Sequence, residues 1–74
     1  MRLTYDREAN AAYLYLVEIE PGSVRDSFFV EDDLLQGSLL LQFDRMSRLV
    51  GIEILNASQV LPEAVLEAVD DDRR

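Results

Sequence analysis

The strongest constraint on this chain lies between Leu39 and Leu55. There two β-rich runs, Leu39 to Phe43 and Leu49 to Leu55, flank Asp44-Arg45-Met46-Ser47-Arg48. A short, mostly polar connection between two extended runs is the signature of an antiparallel hairpin. Within the second run Val50, Ile52 and Ile54 fall on one face and Gly51 and Glu53 on the other, because side chains alternate across a strand. The apolar side needs a cover, either a helix or a partner. Gly51 permits close backbone approach on the opposite side.

The rest of the chain offers strands to join this hairpin. Arg2-Leu3-Thr4-Tyr5-Asp6 alternates with period two and places Leu3 and Tyr5 together. Turn-prone Asp6 and Asn10 bracket a polar stretch before Ala11-Ala12-Tyr13-Leu14-Tyr15-Leu16-Val17, which is apolar on both faces. Tyrosines and valine at i, i+2 and i+4 favour a strand over 11–17, while the alanines and leucines leave a helical reading open. Glu20-Pro21-Gly22-Ser23 reads as a hairpin connection, since Pro presets one turn dihedral and Gly accepts the positive one. Val24 to Val30 then alternates as a third strand, with Asp26 out of phase, and Glu31 to Ser38 is a charged connection.

After Asn56 the period changes. Asn56 or Ser58 can cap a turn, and Pro62 suits the first position of a helix whose apolar stripe is Leu61, Val65, Ala68 and Val69. Glu63, Glu67 and Asp70 form its solvated acidic side. The expected fold is therefore α+β in a single domain over 1–74. It is an antiparallel β-meander of four to five strands (about 1–55), with one C-terminal helix (about 58–70) packed on one face and a frayed acidic tail at 71–74.

Composition narrows function mainly by subtraction. The chain has 74 residues, 49% of them hydrophobic and 30% charged, and so it should fold. It contains no Cys and no His, and all seven basic residues are Arg. Disulfides, thiolate or imidazole catalysis, Cys/His zinc sites and Schiff-base chemistry are thereby excluded. No cofactor is implied and an enzyme is not expected. Fifteen acidic residues set the net charge at −8, which disfavours direct binding to nucleic acid or to anionic membrane surfaces. No apolar run approaches a membrane span and no leader is evident, so a cytoplasmic protein is expected. A domain this small rarely stabilises itself without a staple. A homodimer is expected to bury the uncovered sheet face or an edge strand, with Tyr13, Tyr15, Leu14, Leu16 and Leu40 as interface candidates.

Two blocks of the chain resemble a known family. Tyr5-Asp6-Arg7-Glu8-Ala9-Asn10-Ala11-Ala12-Tyr13-Leu14-Tyr15-Leu16 is similar to the pattern Tyr-Asp-x-x-x-Asp-x-x-Tyr-Ile-x-Leu. Phe43-Asp44 followed by Leu49-Val50-Gly51-Ile52-Glu53-Ile54-Leu55-Asn56-Ala57-Ser58 resembles the Asp, turn and Val-Gly-Ile-Glu-Ile-Leu block of the same family, the small bacterial and archaeal domain of unknown function numbered 2283. Asn10 stands where that family usually has Asp, and Ser47 where Gly is common. The resemblance implies a compact sheet-plus-helix fold without an established activity. It permits an antitoxin-type role, because such families are sometimes encoded beside small toxin-like partners.

Four carboxylates, Asp6, Glu8, Asp44 and Glu53, are the candidates for ion binding or acid–base work. The structural readings compete with that chemistry. Asp6 and Asp44 end strands, where Asp commonly accepts backbone N–H bonds in a turn. Glu53 faces away from the apolar side and is expected to pair with Arg2, Arg45 or Arg48. Tyr5, Tyr13 and Tyr15 are expected to fill core or interface rather than stack a planar ligand. Glu31-Asp32-Asp33 lacks the spacing of a calcium loop. The leading expectation is a non-enzymatic interaction protein, antitoxin-like towards a basic partner. The alternative is a regulatory module that binds a small molecule or a divalent ion.

Overall fold

The computed structural model describes residues 1–71, with side chains described through Val69. Two antiparallel units make up most of it. Strands β1 (Arg2–Asp6) and β2 (Ala11–Tyr15) form a hairpin with Arg2 opposite Tyr15 and Asp6 opposite Ala11. Strands β3 (Asp26–Val30), β4 (Ser38–Phe43) and β5 (Leu49–Leu55) pair in chain order. Helices α1 (Ala57–Val60) and α2 (Glu63–Glu67) follow, and β6 (Asp70–Asp71) runs parallel beside β1. The α+β class, the five antiparallel strands and the Asp44–Arg48 connection agree with the sequence reading. The helical alternative for 11–17 gives way to a strand. No helix among the described residues is long and apolar enough to cross a membrane.

Several expectations are corrected. The sheet order is β3-β4-β5-β2-β1-β6, so the chain does not meander from β2 to β3. Pro21-Gly22 does turn, with Gly22 at φ 82° and Ser23 N–H donating to Glu20 O at 3.0 Å. The turn leads across the sheet rather than back along β2. The physical reason is burial: β2 is apolar on both faces and fits between β1 and β5, which leaves β3 at the edge.

The single helix at 58–70 is two short ones. Leu61 is extended (φ −108°, ψ 146°) as the residue before proline tends to be, and Pro62 is itself the extended cap of α2 rather than its first helical residue. Asn56 takes a left-handed conformation (φ 58°) and makes no side-chain cap bond to α1. Leu66, outside the expected stripe, is the buried residue of α2, while Val65 and Ala68 are exposed. The frayed tail expected at 71–74 begins instead with Asp71 paired opposite Tyr5. Residues 72–74 of that expectation lie outside the described residues.

Register sorts the side chains into rows. Phe28, Leu41, Ile52, Leu14 and Leu3 make one row, and Val30, Leu39, Ile54, Ala12 and Tyr5 another, on the face that carries the helices. Tyr5, Ala12 and Ile54 meet Ala57 of α1 and Leu66 of α2 to form the core. Among the described residues nothing larger than alanine is wholly buried. The molecule is only 18 Å through its thin dimension, the thickness of one sheet and one helical layer. Among the described residues no helix packs on the second face of the sheet.

Candidate functional site

The uncovered face is built from two rows that cross five strands. The first is Phe29, Leu40, Glu53, Tyr13 and Thr4, and the second is Ser27, Gln42, Gly51, Tyr15 and Arg2. Aromatic and polar side chains interlock in the second row. The Arg2 guanidinium carbon sits 3.9 Å from the Tyr15 ring centroid, a cation–π contact. The Tyr15 and Tyr13 centroids are 4.5 Å apart with the rings tilted by 49°, an arrangement that the ring quadrupoles favour. Tyr13 then leans over Gly51 and donates its hydroxyl to Gln42 Oε1. A Cβ at Gly51 would strike that ring, so the close approach expected there is made by a side chain and not by backbone. Partial burial, then Tyr15 and Glu53, push the Tyr13 hydroxyl above its ordinary pKa.

Glu53 lies near the middle of this face, half-buried between Leu40 and Tyr13. The expected arginine pairing is not made. Among the described residues the ion pair is Arg48 with Asp44, at 3.1 Å. Register explains the difference: Arg2 belongs to the row of Tyr15 and stacks there, and Arg48 is held by its own turn. Tyr13, Tyr15 and Leu40 of the interface candidates share this face with Glu53. Leu14 instead lies in a row on the helix side, and Leu16 falls just past β2, its N–H donating to Val50 O at 3.0 Å.

Asp6 and Asp44 serve turns, as their positions at strand ends suggested. Asp6 Oδ1 accepts from the N–H groups of Glu8 (3.0 Å) and Ala9 (3.2 Å). Asp44 Oδ1 accepts from Met46 and Arg48 N–H at 2.9 and 3.0 Å, while its Oδ2 takes Arg48 Nε at 3.1 Å. The backbone bond from Arg48 is the main reason the Asp44 carboxyl sits below the usual carboxylate range. Asp32 Oδ1 likewise accepts from Leu34 N–H at 2.9 Å. Asp6 and Glu8 sit at the Leu55 end of the sheet, Asp44 at the Leu49 end and Glu53 on the open face, so the four do not converge. Among the described residues no group of three or more potential ligands could hold a metal ion.

One polar cluster was not legible as such. Tyr5 donates its hydroxyl to Asn10 Oδ1 at 2.8 Å, and Ser58 N–H donates to the same oxygen at 3.0 Å. Asn10 Nδ2 donates to Asn56 Oδ1 (3.0 Å) and Ser58 Oγ (2.9 Å), and Asn56 Nδ2 donates onward to Gln36 O. Asn10 and Asn56 both have positive φ, 53° and 58°, which Asn tolerates better than most residues. That tolerance, at two asparagines beside strand ends, was the available signal.

Residues 2–58 match the model of a family described as a protein of unknown function, DUF2283. No curated protein and no solved structure matches the chain.

Proposed function

The chain belongs to the DUF2283 family, and from that premise we propose that it is a non-enzymatic interaction module that holds a basic protein on its open sheet face, as an antitoxin holds a toxin. One observation carries the reading. Glu53 sits half-buried on an aromatic face with no cation of its own chain beside it among the described residues. A carboxylate so placed gains most from a guanidinium or ammonium that a partner brings in, because pairing in a partly desolvated setting is stronger than at a free surface. Tyr13, Tyr15 and Phe29 around it are of the residue type that anchors interfaces. The net charge of −8 would steer a cationic partner towards the molecule. The proposed setting is the cytoplasm.

The alternative of an ion-binding module would require converging carboxylates, and Asp6, Glu8, Asp44 and Glu53 stand apart. The test is to retain a basic protein on the tagged wild-type chain and then on Glu53→Gln. The variant is expected to keep its melting temperature and to lose on the order of thirtyfold in affinity, as when one partner of an interfacial charge pair is removed. Equal retention by both chains, or failure of any basic protein to bind in stoichiometric amount, would overturn the reading.

A further inference from the structure

We propose that two copies of this chain join edge to edge through β3, antiparallel and centred on Phe28, so that their sheets run on as one. Strand β3 ends the sheet, bonded to β4 on one side only. Its outer backbone groups form a template for another strand. The devices that normally blunt such an edge are missing from its centre, because Ser27-Phe28-Phe29-Val30 holds neither charge nor proline. Phe28 is 62% exposed and Phe29 52% exposed, and they point to opposite faces. No single element packed on one face could cover both rings. A strand laid alongside gives each of them a neighbour.

The register identifies the occupant. Residues opposite one another in an antiparallel pair share a face, so a self-pairing can be centred only on a residue that meets its own copy. Centring on Ser27 sets Asp26 against Phe28 and Arg25 against Phe29. Centring on Phe29 sets Asp26 against Asp32. Centring on Phe28 aligns the whole strand, sets ring against ring, and places Arg25 opposite Glu31 at both ends. Arg25 and Glu31 are exposed and make no ion pair among the described residues. The edge thus carries its own charge complement, and a second copy satisfies it without any foreign sequence. The other edge, β6, has two residues and offers no comparable template.

Two-fold pairing of this kind leaves both open faces on the same side of the joined sheet. The inference stands apart from the reading of Glu53, and Glu53→Gln should leave the association unchanged. Sedimentation at tens of micromolar should find wild type at twice 8.5 kDa. Arg25→Glu and Glu31→Arg should each weaken the dimer by about tenfold, since opposite charges become like charges across the pair. The double variant should restore it. The single variants move net charge in opposite directions from −8, to −10 and −6, so a general charge effect would weaken one and strengthen the other. A monomeric wild type, a Glu31→Arg that associates more tightly, or a folded double variant that remains monomeric would each overturn the proposal.

Discussion

Gly37 and Gly51 show at the scale of single residues how the same amino acid meets different neighbours. A Cβ on Gly37 would run into the backbone carbonyl of Leu55 and come within 2.9 Å of Asn56 Cβ and Val60 Cγ2. Backbone in a central strand has nowhere to go. A Cβ on Gly51 would come within 2.7 Å of Tyr13 Cζ, the far end of a side chain that can swing out over the open face. Gly37→Ala should therefore destabilise by about 3 kcal/mol, in the upper range for overpacking, and Gly51→Ala by about 1 kcal/mol for the lost Tyr13–Gln42 bond. Urea unfolding measures both, and equal midpoints would contradict the difference in neighbours. In Gly51→Ala the Tyr13 phenol should also titrate closer to its ordinary value, because the burial that raises it is lost. The sequence marked Gly51 as a place of close approach. It could not say that Gly37 is the tighter one, since that contact spans from the residue before β4 to the end of β5.

Turns do the corresponding work for the elements. Asp44 organises the β4–β5 hairpin, accepting from Met46 and Arg48, while Ser47 takes a left-handed φ of 61° and donates its N–H to Asp44 O. A carboxyl whose folded pKa is lowered binds its proton less readily than in the unfolded chain, where the value is about 3.9. Its contribution is complete above that value and is lost as pH falls through the lower folded one. Wild type should lose stability as pH falls from about 5 down through the carboxylate range, and Asp44→Asn should lose distinctly less over the same descent. Parallel curves for the two proteins would refute the assignment. At the other end of the sheet, Asn10 ties the β1–β2 turn to α1 through Asn56 and Ser58. Asn10→Asp removes both donors of Nδ2 and sets a carboxylate against Asn56 Oδ1, whose own amide is engaged with Gln36 O. A loss of about 1–2 kcal/mol is expected from chemical unfolding at neutral pH. An unchanged midpoint would mean the tie is idle.

The whole molecule is a sheet dressed on one side. The helices cover Tyr5, Ala12 and Ile54 but stop short of β3, so Phe28 stays exposed on the helix side while Phe29 is exposed on the other. Two unsatisfied regions result, the open face around Glu53 and the free edge of β3. A core whose wholly buried residues are alanines has little reserve stability. Association through either region would add burial that the single chain lacks. The affinity of Glu53→Gln and the rescue by the Arg25/Glu31 exchange address the two regions separately, so either can fail without the other.

Alternation and turn residues determined the strands, the Asp6 and Asp44 turns and the side of β5 on which Glu53 falls, because each depends on residues a few positions apart. Tertiary structure decided that β2 lies against β5, that Leu66 and not Val65 is buried, and that Arg2 stacks on Tyr15 instead of reaching Glu53. Those outcomes come from competition among distant segments for the buried centre of one sheet. The strand apolar on both faces takes the middle, and every row of neighbours follows from that placement.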